Sequence, residues 1–164
     1  MAKLTGKVAL ITGAAVGLGE GIATAYAKYG AKLCMVDLSP EVEKTAEKLR
    51  KEYNAEIVTC VANVADPEQM KAAAAKAAEA FGEVNIACCN AGVCRLAPFE
   101  EMTDAVRDFH IDVNIKGVWN TCKAVIPYML KQGGGSIVCI SSGNSERYTT
   151  RRSAYNISKA AVNG

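Results

Sequence analysis

Tyr155 and Lys159 are the residues of this sequence whose types and spacing most directly suggest chemistry. They lie four residues apart in the stretch SAYNISKAAVNG, residues 153–164. On a helix, that spacing puts a phenol and an ammonium group on the same face. A positive charge beside a tyrosine favours the phenolate, which can accept a proton. Tyrosine and lysine also meet at this spacing by chance on many exposed helices, so the surrounding elements decide the interpretation.

Short apolar runs alternate with longer amphipathic runs along the whole 164-residue chain. The runs KVALIT, AKLCMVD, AEIVTCVAN, VNIACCNAG and SIVCISS predict strands, and each is almost continuously apolar. Strands of this kind are typical of a parallel sheet with helices on both faces. With right-handed crossovers, the pattern predicts an α/β fold with a doubly wound, Rossmann-type parallel sheet in one domain, residues 1–164.

Helix signals fill the segments between these strands. The first helix is expected over about residues 18–29, and the second is expected to begin with Ser39 as N-cap and Pro40 as first helical residue. The stretch DPEQMKAAAAKAAEAF also starts with Asp and Pro. A long helical region is expected over about residues 103–131, bent at Pro127.

Charge and composition exclude several classes of protein. Half of the residues are hydrophobic and the formal net charge is +2, as in an ordinary soluble globular protein. Binding to nucleic acid or to a membrane requires a cluster of basic residues on the protein surface, so we expect neither as a partner. No apolar stretch reaches membrane-spanning length, and the N-terminal residues lack the pattern of a signal peptide. We therefore expect a cytoplasmic protein.

The cysteines indicate free thiols. Their number is odd, no two of them show C-x-x-C spacing, and most lie inside apolar runs. Buried free thiols in a reducing compartment explain this pattern better than disulfides or a metal site. The seven residues are Cys34, Cys60, Cys88, Cys89, Cys94, Cys122 and Cys139.

A glycine-rich turn follows the first predicted strand. Gly13, Gly17 and Gly19 lie in TGAAVGLGEG, where the strand passes into a helix. Glycines there let the backbone approach a pyrophosphate, which the positive N-terminus of the helix attracts. The spacing G-x-x-x-G-x-G departs from the commonest dinucleotide fingerprint. Glycine also serves tight packing of a helix on a sheet, so the turn alone leaves both interpretations open.

Asp37 gives that turn a context, because it ends the second predicted strand, 18 residues after Gly19. A carboxylate there can accept hydrogen bonds from an adenosine ribose and would repel the 2′-phosphate of NADP. The alternative, that Asp37 caps the next helix, is weakened because Ser39 and Pro40 already supply a helix start. Leu38 offers no positive charge to a 2′-phosphate. We therefore expect NAD as the cofactor rather than NADP.

Five motifs in order make the chain resemble the short-chain dehydrogenase/reductases. They are TGAAVGLG in the first turn, NAG at residues 90–92, DVNIKG, SIVCISS on the fifth strand and YNISK on the last helix. The separation of Ser142 and Tyr155 by 13 residues is also similar to that family's. The resemblance covers the whole chain. It implies an oxidoreductase that transfers hydride between a nicotinamide cofactor and a small alcohol or carbonyl substrate.

The resemblance also implies a role for each matching residue. Tyr155 would be the general acid/base, and Lys159 would favour its phenolate and hold the nicotinamide ribose. Ser142 would bind the substrate oxygen, and Asn114 would support the water of a proton relay. Besides Tyr155 and Lys159, the cofactor would contact Gly13, Val16, Gly17, Leu18, Gly19, Asp37, Leu38, Asn63, Val64, Asn90, Ala91 and Gly92.

A few positions depart from the residues usual in that family. Asn63, which with Val64 would flank the adenine, stands where Asp is common, and its amide oxygen can still accept a hydrogen bond. Cys89-Asn90 replaces a double Asn, and Asn85 replaces a frequent Asp at the start of the strand. The latter changes concern the sheet more than the chemistry.

The chemistry of carbonyl reduction explains why such residues are needed. The cofactor supplies the hydride, so the protein must orient the substrate and supply a proton. A free tyrosine has a pKa near 10, and one positive charge at about 4 Å favours a phenolate by on the order of 4 kcal/mol at an effective dielectric of about 20. Ser142 would offer a neutral hydroxyl where negative charge develops on the substrate oxygen.

Single residues among these also have purely structural explanations. Ser142 lies in SSGNS, which is turn chemistry, and Asn114 could be a mid-helix polar residue that bends the backbone. His110, the one histidine, is expected on a helix surface without a role. Three basic residues after Ser142 are expected in a solvated loop, with attraction of an anionic substrate as the alternative. They are Arg147, Arg151 and Arg152.

The sequence stops at Gly164, five residues after Lys159. Members of the family that it resembles continue with further strands and associate through two long helices. We therefore expect a C-terminally truncated domain with SIVCIS or its neighbour at an uncovered sheet edge, and a homo-oligomer for the full-length form. Two functions stay open, an NAD-dependent oxidoreductase and a non-catalytic NAD-binding fragment of one.

Overall fold

The structure is a computed structural model that describes residues 3–164, so Met1 and Ala2 of the N-terminal stretch lie outside it. Strands and helices alternate along the described residues, with short irregular segments before α4 and α6. In chain order, the regular elements are β1 (Val8–Thr12), α1 (Gly17–Lys28), β2 (Lys32–Asp37), α2 (Val42–Tyr53), β3 (Ile57–Val61), α3 (Pro67–Phe81), β4 (Ile86–Cys89), α4 (Asp104–His110), a π-helical turn (Ile111–Lys116), α5 (Gly117–Lys131), β5 (Ser136–Cys139) and α6 (Ser153–Asn163).

The strands form one five-stranded sheet in the order β3-β2-β1-β4-β5, and all neighbouring strands are parallel. The chain runs outward from β1 to β3, then returns to add β4 and β5 on the other side. The predicted doubly wound α/β fold is therefore confirmed. Because the strand order reverses between β1 and β4, the helices diverge there and leave a crevice at the carboxyl ends of these strands.

Each face of the sheet has its own apolar core, because successive residues of a strand point to opposite faces. Ile11 and Leu33 are fully buried in the core beneath α1 and α2. Leu10 and Val36 are fully buried in the core beneath α3 and α5. Burying an aliphatic side chain of this size stabilises the fold by about 1.5–3 kcal/mol, so these strands anchor the loops at their ends.

The Asp-Pro start predicted for α3 is confirmed. Asp66 is the N-cap residue, and its side chain accepts hydrogen bonds from the N–H groups of Glu68 at 2.9 Å and Gln69 at 3.2 Å. Pro67 is the first helical residue and needs no hydrogen-bond acceptor for its nitrogen. The helix therefore begins where its sequence provides caps for the free N–H groups.

The predicted start of α2 is wrong, because the helix begins at Val42 and not at Pro40. The N–H of Ser39 donates to Oδ1 of Asp37 at 2.9 Å, and its Oγ accepts from the N–H of Glu41 at 3.3 Å. Ser39 is thus held beside the strand by the carboxylate that precedes it. A turn forms there first, and the helix follows it.

The helical region predicted over residues 103–131 is continuous but not uniform. Its departure from α geometry is the π-helical turn at Ile111–Lys116, and α5 continues through Pro127. The N–H of Gly117 donates to the carbonyl of Asp112, five residues earlier. A Cβ at Gly117 would lie 2.6 Å from Cγ2 of Val64, so glycine is needed where the helix meets the loop after β3. No helix within residues 3–164 is long and apolar enough to cross a membrane.

The two edges of the sheet differ in protection. Arg50 donates to the carbonyl of Ile57 at 2.9 Å, and Lys76 donates to that of Thr59 at 2.8 Å, so charged groups cover the outer carbonyls of β3. Among the described residues, no side chain forms such a hydrogen bond to the backbone of β5. Val138 on β5 is 42% exposed. An edge strand without charged groups is open to pairing with another chain.

We predict that Val138→Lys reduces self-association of the 164-residue chain, because a charge on the unprotected edge opposes strand pairing. Static light scattering over a concentration series should show a weight-average mass closer to that of a monomer. The matched control is Val61→Lys on β3, which should leave the association unchanged. Equal association of the Val138→Lys variant and the wild type would contradict the prediction.

Candidate active site

A cleft with a volume of about 680 Å³ lies at the carboxyl ends of the strands, where the strand order reverses. Its walls come from the glycine turn, the loops after β2, β3 and β4, the end of β5 and one face of α6. The size suits a nucleotide-sized ligand. Most of the predicted site residues line it, namely Gly13, Val16, Leu18, Gly19, Asp37, Leu38, Asn63, Val64, Asn90, Ala91, Gly92, Tyr155 and Lys159.

The glycine turn is packed so closely that side chains would not fit. Gly13 has a φ of +66°, and a Cβ there would lie 2.9 Å from Cα of Ala91. A Cβ at Gly19 would overlap the carbonyl oxygen of Gly13. The side-chain amide of Asn90 donates to the carbonyls of Thr12 at 3.0 Å and Gly13 at 3.2 Å. Gly17, with a φ of +63°, starts α1 beside the cleft.

Thr12 is a residue of the site that the sequence analysis missed. Its buried hydroxyl accepts hydrogen bonds from the backbone N–H groups of Asn90 and Ala91, each at 3.1 Å, and donates to the carbonyl of Cys88 at 3.4 Å. The hydroxyl therefore ties the end of β1 to the end of β4. A polar residue at the end of the otherwise apolar run VALIT was the available signal.

Asp37 holds the glycine turn as well as the turn after β2. Its Oδ2 accepts from the N–H of Ala15 at 2.9 Å, and its Oδ1 accepts from the N–H of Ser39. Each carboxylate oxygen has a further lone pair, so the group can still accept hydrogen bonds from a ligand in the cleft. Leu38 beside it is 68% exposed and adds an apolar surface to the rim.

The loop after β3 is shaped by Asn63. Its Oδ1 accepts from the N–H of Ala65 at 2.9 Å, and its own N–H donates to Oε1 of Gln69 at 2.8 Å. Nδ2 of Asn120 donates to the carbonyl of Val64 at 3.0 Å. Asn63 and Val64 thus lie in one wall of the cleft, and the amide that replaces the family's usual carboxylate stabilises a turn.

Asn114 does not line the cleft, because its side chain is fully buried behind the wall. Its Oδ1 accepts from the N–H of Val93 at 2.8 Å, and its Nδ2 donates to the carbonyl of Val93 at 2.9 Å and to Oγ of Ser158 at 2.8 Å. The Ser158 hydroxyl in turn donates to the carbonyl of Tyr155 at 2.8 Å. The chain of bonds connects the loop after β4 to α6.

Lys159 is buried, with 4% of its surface exposed. Its Nζ donates to the carbonyl of Ile140 at 2.7 Å and lies 5.9 Å from the centroid of the Tyr155 ring. Burial lowers the pKa of Lys159, and the sulfur of Cys139 opposes that shift. A Cβ at Gly92 would lie 3.4 Å from this Nζ, so the glycine leaves room for the lysine. The ammonium and the phenol ring therefore meet in the cleft.

Ser142 is not among the residues that line the cleft. Its Oγ accepts from the N–H of Asn144 at 3.2 Å and caps a short 3-10 turn over Gly143–Ser145, as the structural explanation predicts. Ser141 lines the cleft instead, and its hydroxyl donates to the carbonyl of Lys159 at 3.0 Å.

The prediction for His110 is wrong, because the side chain is fully buried. Its Nε2 accepts from the N–H of Arg95 at 3.0 Å, and its Nδ1 lies 2.7 Å from the carbonyl of Val106. The neutral ring with its proton on Nδ1 satisfies both contacts, so His110 anchors the loop after β4 to α4. None of the three predicted loop arginines lines the cleft, namely Arg147, Arg151 and Arg152.

A doubly wound parallel sheet with a glycine turn in the cleft at its switch point defines a protein of the Rossmann type. The sequence profile described as "short chain dehydrogenase" matches residues 7–164. The chain belongs to the short-chain dehydrogenase family, as its motifs predicted.

Several oxidoreductases are similar to this chain over nearly its whole length. The chain is 48% identical over 165 residues to oxidoreductase UcpA of Escherichia coli K12, covering 100% of this chain and 62% of that protein. It is 41% identical to D-threitol dehydrogenase of Mycolicibacterium smegmatis, and the match covers 99% of this chain and 62% of that protein. A crystal structure of carveol dehydrogenase from Mycobacterium avium in complex with NAD has a TM-score of 0.94 at 33% identity, covering 99% and 64%. The chain thus spans less than two thirds of these relatives.

We predict that Asn114→Ala lowers the free energy of unfolding by about 3 kcal/mol, because it removes the hydrogen bonds that this fully buried side chain makes to the N–H and carbonyl of Val93 and to Oγ of Ser158. Asn120→Ala, which removes one hydrogen bond from a half-buried amide, is the matched control and should cost about 1 kcal/mol. Urea denaturation of both variants measures the difference. Equal losses would show that Asn114 does not connect the two segments as described.

Proposed function

We propose that this chain carries the cofactor site and the proton-transfer residues of an NAD-dependent oxidoreductase, which interconverts an alcohol and a carbonyl compound. The observation that carries the proposal is the buried ammonium of Lys159 beside the ring of Tyr155, in the cleft whose opposite end is the glycine turn. A nucleotide turn and a proton-transfer pair thus share one cavity.

The residues present fit a dinucleotide. Gly13 and Gly19 leave no room for side chains, so the backbone itself faces the cleft at the positive N-terminus of α1, which suits a pyrophosphate. Asn63 and Val64 would flank the adenine, and residues 90–92 would support the nicotinamide end. The bound cofactor would supply the hydride chemistry. The protein has to orient the substrate beside it and move one proton.

Tyr155 would transfer that proton between its phenol oxygen and the substrate oxygen. Lys159 favours the phenolate by its positive charge and would hold the nicotinamide ribose through its ammonium. Asn114 would act as a positioning residue for the water of a proton relay. Its bonds to Val93 and Ser158 hold the cleft wall and α6 together, and that wall would position the water. Ser142 would bind the substrate oxygen after its hydroxyl turns toward the cleft from the N–H of Asn144.

We further propose NAD as the preferred cofactor. The carboxylate of Asp37 lies at the end of β2 and can accept bonds from ribose hydroxyls, whereas it would repel a 2′-phosphate. Leu38 brings no positive charge to the rim. The NAD of the carveol dehydrogenase structure supports this choice by similarity.

For the full-length protein we propose a cytoplasmic location and a homo-oligomeric state. All seven cysteines are free thiols, which supports a cytoplasmic location. One face of α5 exposes Trp119, Ile126 and Leu130, with Trp119 70% exposed, and an apolar stripe of this kind supports homo-oligomer formation. The substrate would be a small molecule, and neither nucleic acid nor a membrane is proposed as a partner.

A second candidate function is NAD binding without turnover by the 164-residue chain. The position of Ser142 outside the cleft lining favours it. Such a chain would bind NADH in a fluorescence titration but would not oxidise or reduce any member of a panel of alcohols and ketones.

We predict that Tyr155→Phe in the full-length protein lowers kcat by about 10²–10⁴-fold, because the ring stays and the transferable proton is lost. NADH affinity should change by less than about twofold, since the phenol hydroxyl contributes little to the binding of the cofactor. Tyr148→Phe, on a 72% exposed tyrosine, is the matched control. Steady-state assays and NADH titration give both quantities, and undiminished turnover of Tyr155→Phe would contradict the proposed role.

We predict that Asp37→Asn changes the ratio of the NAD and NADP dissociation constants by at least about tenfold in favour of NADP, because the repulsive charge is removed while the amide oxygen still accepts one of the two backbone hydrogen bonds. Glu41→Gln removes an exposed charge nearby and should leave the ratio unchanged. Fluorescence titrations with NADH and NADPH measure it. Tighter binding of NADPH than NADH by the wild type would show that Asp37 does not select the cofactor.

A further inference from the structure

Three cysteine sulfurs meet between the sheet and α5, outside the cleft. Cys89 ends β4, Cys139 ends β5 and Cys122 lies in α5. The sulfurs of Cys89 and Cys122 are 3.9 Å apart, and all three lie within 4.8 Å of one another. Cys89 and Cys139 are direct partners in the parallel register, so strand pairing itself brings two of the three together.

The distances fit a shared metal ion. Zn²⁺ binds thiolate sulfur at about 2.3 Å, so two sulfurs of a tetrahedral site are about 3.8 Å apart. The separation of Cys89 and Cys122 already has this value, and the remaining sulfur pairs need a shift of no more than about 1 Å, which side-chain rotation supplies. Three thiolates without a carboxylate form a donor set that soft metal ions prefer.

The environment of the cluster also suits a metal ion. Cys89 is buried, whereas Cys122 and Cys139 are half-buried, so the cluster is sheltered but within reach of solvent. Cys88, the neighbour of Cys89, belongs to the apolar core on the opposite face.

We propose that Cys89, Cys122 and Cys139 bind one thiophilic d¹⁰ metal ion, with Zn²⁺ as the physiological candidate, through three thiolates and a water molecule. The site is distinct from the cleft, since none of the three residues lines it. Two of its ligands are the last residues of their strands: Cys89 ends β4 just before Asn90, and Cys139 ends β5 just before Ile140. A bound ion would cross-link the strand ends that hold the cofactor floor and the carbonyl partner of Lys159.

The test is a titration of the reduced, purified protein with Cd²⁺, which takes the place of Zn²⁺ and gives a thiolate-to-metal charge-transfer band. The wild type should bind one equivalent, and Zn²⁺ should displace it. Cys122→Ser and Cys139→Ser should each lose about a third of the band and bind at least about tenfold more weakly. Cys88→Ser, a buried change on the same strand, and Cys94→Ser, an exposed change, are the matched controls and should keep the full band.

A second measurement needs no variants. Alkylation of the native protein followed by mass spectrometry should show that Zn²⁺ protects the half-buried Cys122 and Cys139 together and leaves the exposed Cys94 reactive. The proposal is overturned if the reduced wild type binds no Cd²⁺, if the control variants weaken the band as much as Cys122→Ser does, or if Zn²⁺ protects a different set of thiols. Formation of a Cys89–Cys122 disulfide when protein that takes up no metal is exposed to dioxygen, which is reduced to peroxide, would also overturn the proposal and assign the cluster to redox chemistry instead.

Discussion

The cleft depends on the hydrogen bonds that join the end of β1 to the end of β4. Thr12 and Asn90 exchange side-chain and backbone bonds across the two strands, and the Asn90 amide also holds the carbonyl of Gly13. These bonds satisfy polar groups at the point where the strands stop pairing and the helices diverge. The backbone of the glycine turn can then face the cleft, because the groups behind it are already bonded and Gly19 leaves them space.

The other wall is built around the same principle. Asn114 sits in a π-helical turn, and its amide bonds connect Val93 after β4 with Ser158 on α6. Lys159 reaches back from α6 to the carbonyl of Ile140 after β5. Both contacts fix the helix that presents the phenol ring relative to the strand ends. The proposed proton transfer therefore depends on residues that never touch a substrate.

Much of the fold could be predicted because continuous apolar runs and capping residues are local signals, as at Asp66. The start of α2 could not, since the Asp37 carboxylate holds the N–H of Ser39 and delays the helix. His110 lies on a predicted amphipathic helix, but its partner is a backbone N–H fifteen residues earlier. Many of the residues that line the cleft followed from family motifs, but Ser141 lines it where Ser142 was predicted. The contacts of Asn114 and the cysteine cluster join separate elements and leave no spacing pattern.

A crystal structure of the protein with NADH tests the central claim most directly. The account predicts the pyrophosphate at the N-terminus of α1 beside Gly13 and Gly19, the adenosine ribose hydroxyls on the carboxylate of Asp37, and the nicotinamide between Gly92 and Tyr155. A dinucleotide bound away from the strand ends, or in the cleft with its nicotinamide far from Tyr155, would contradict it.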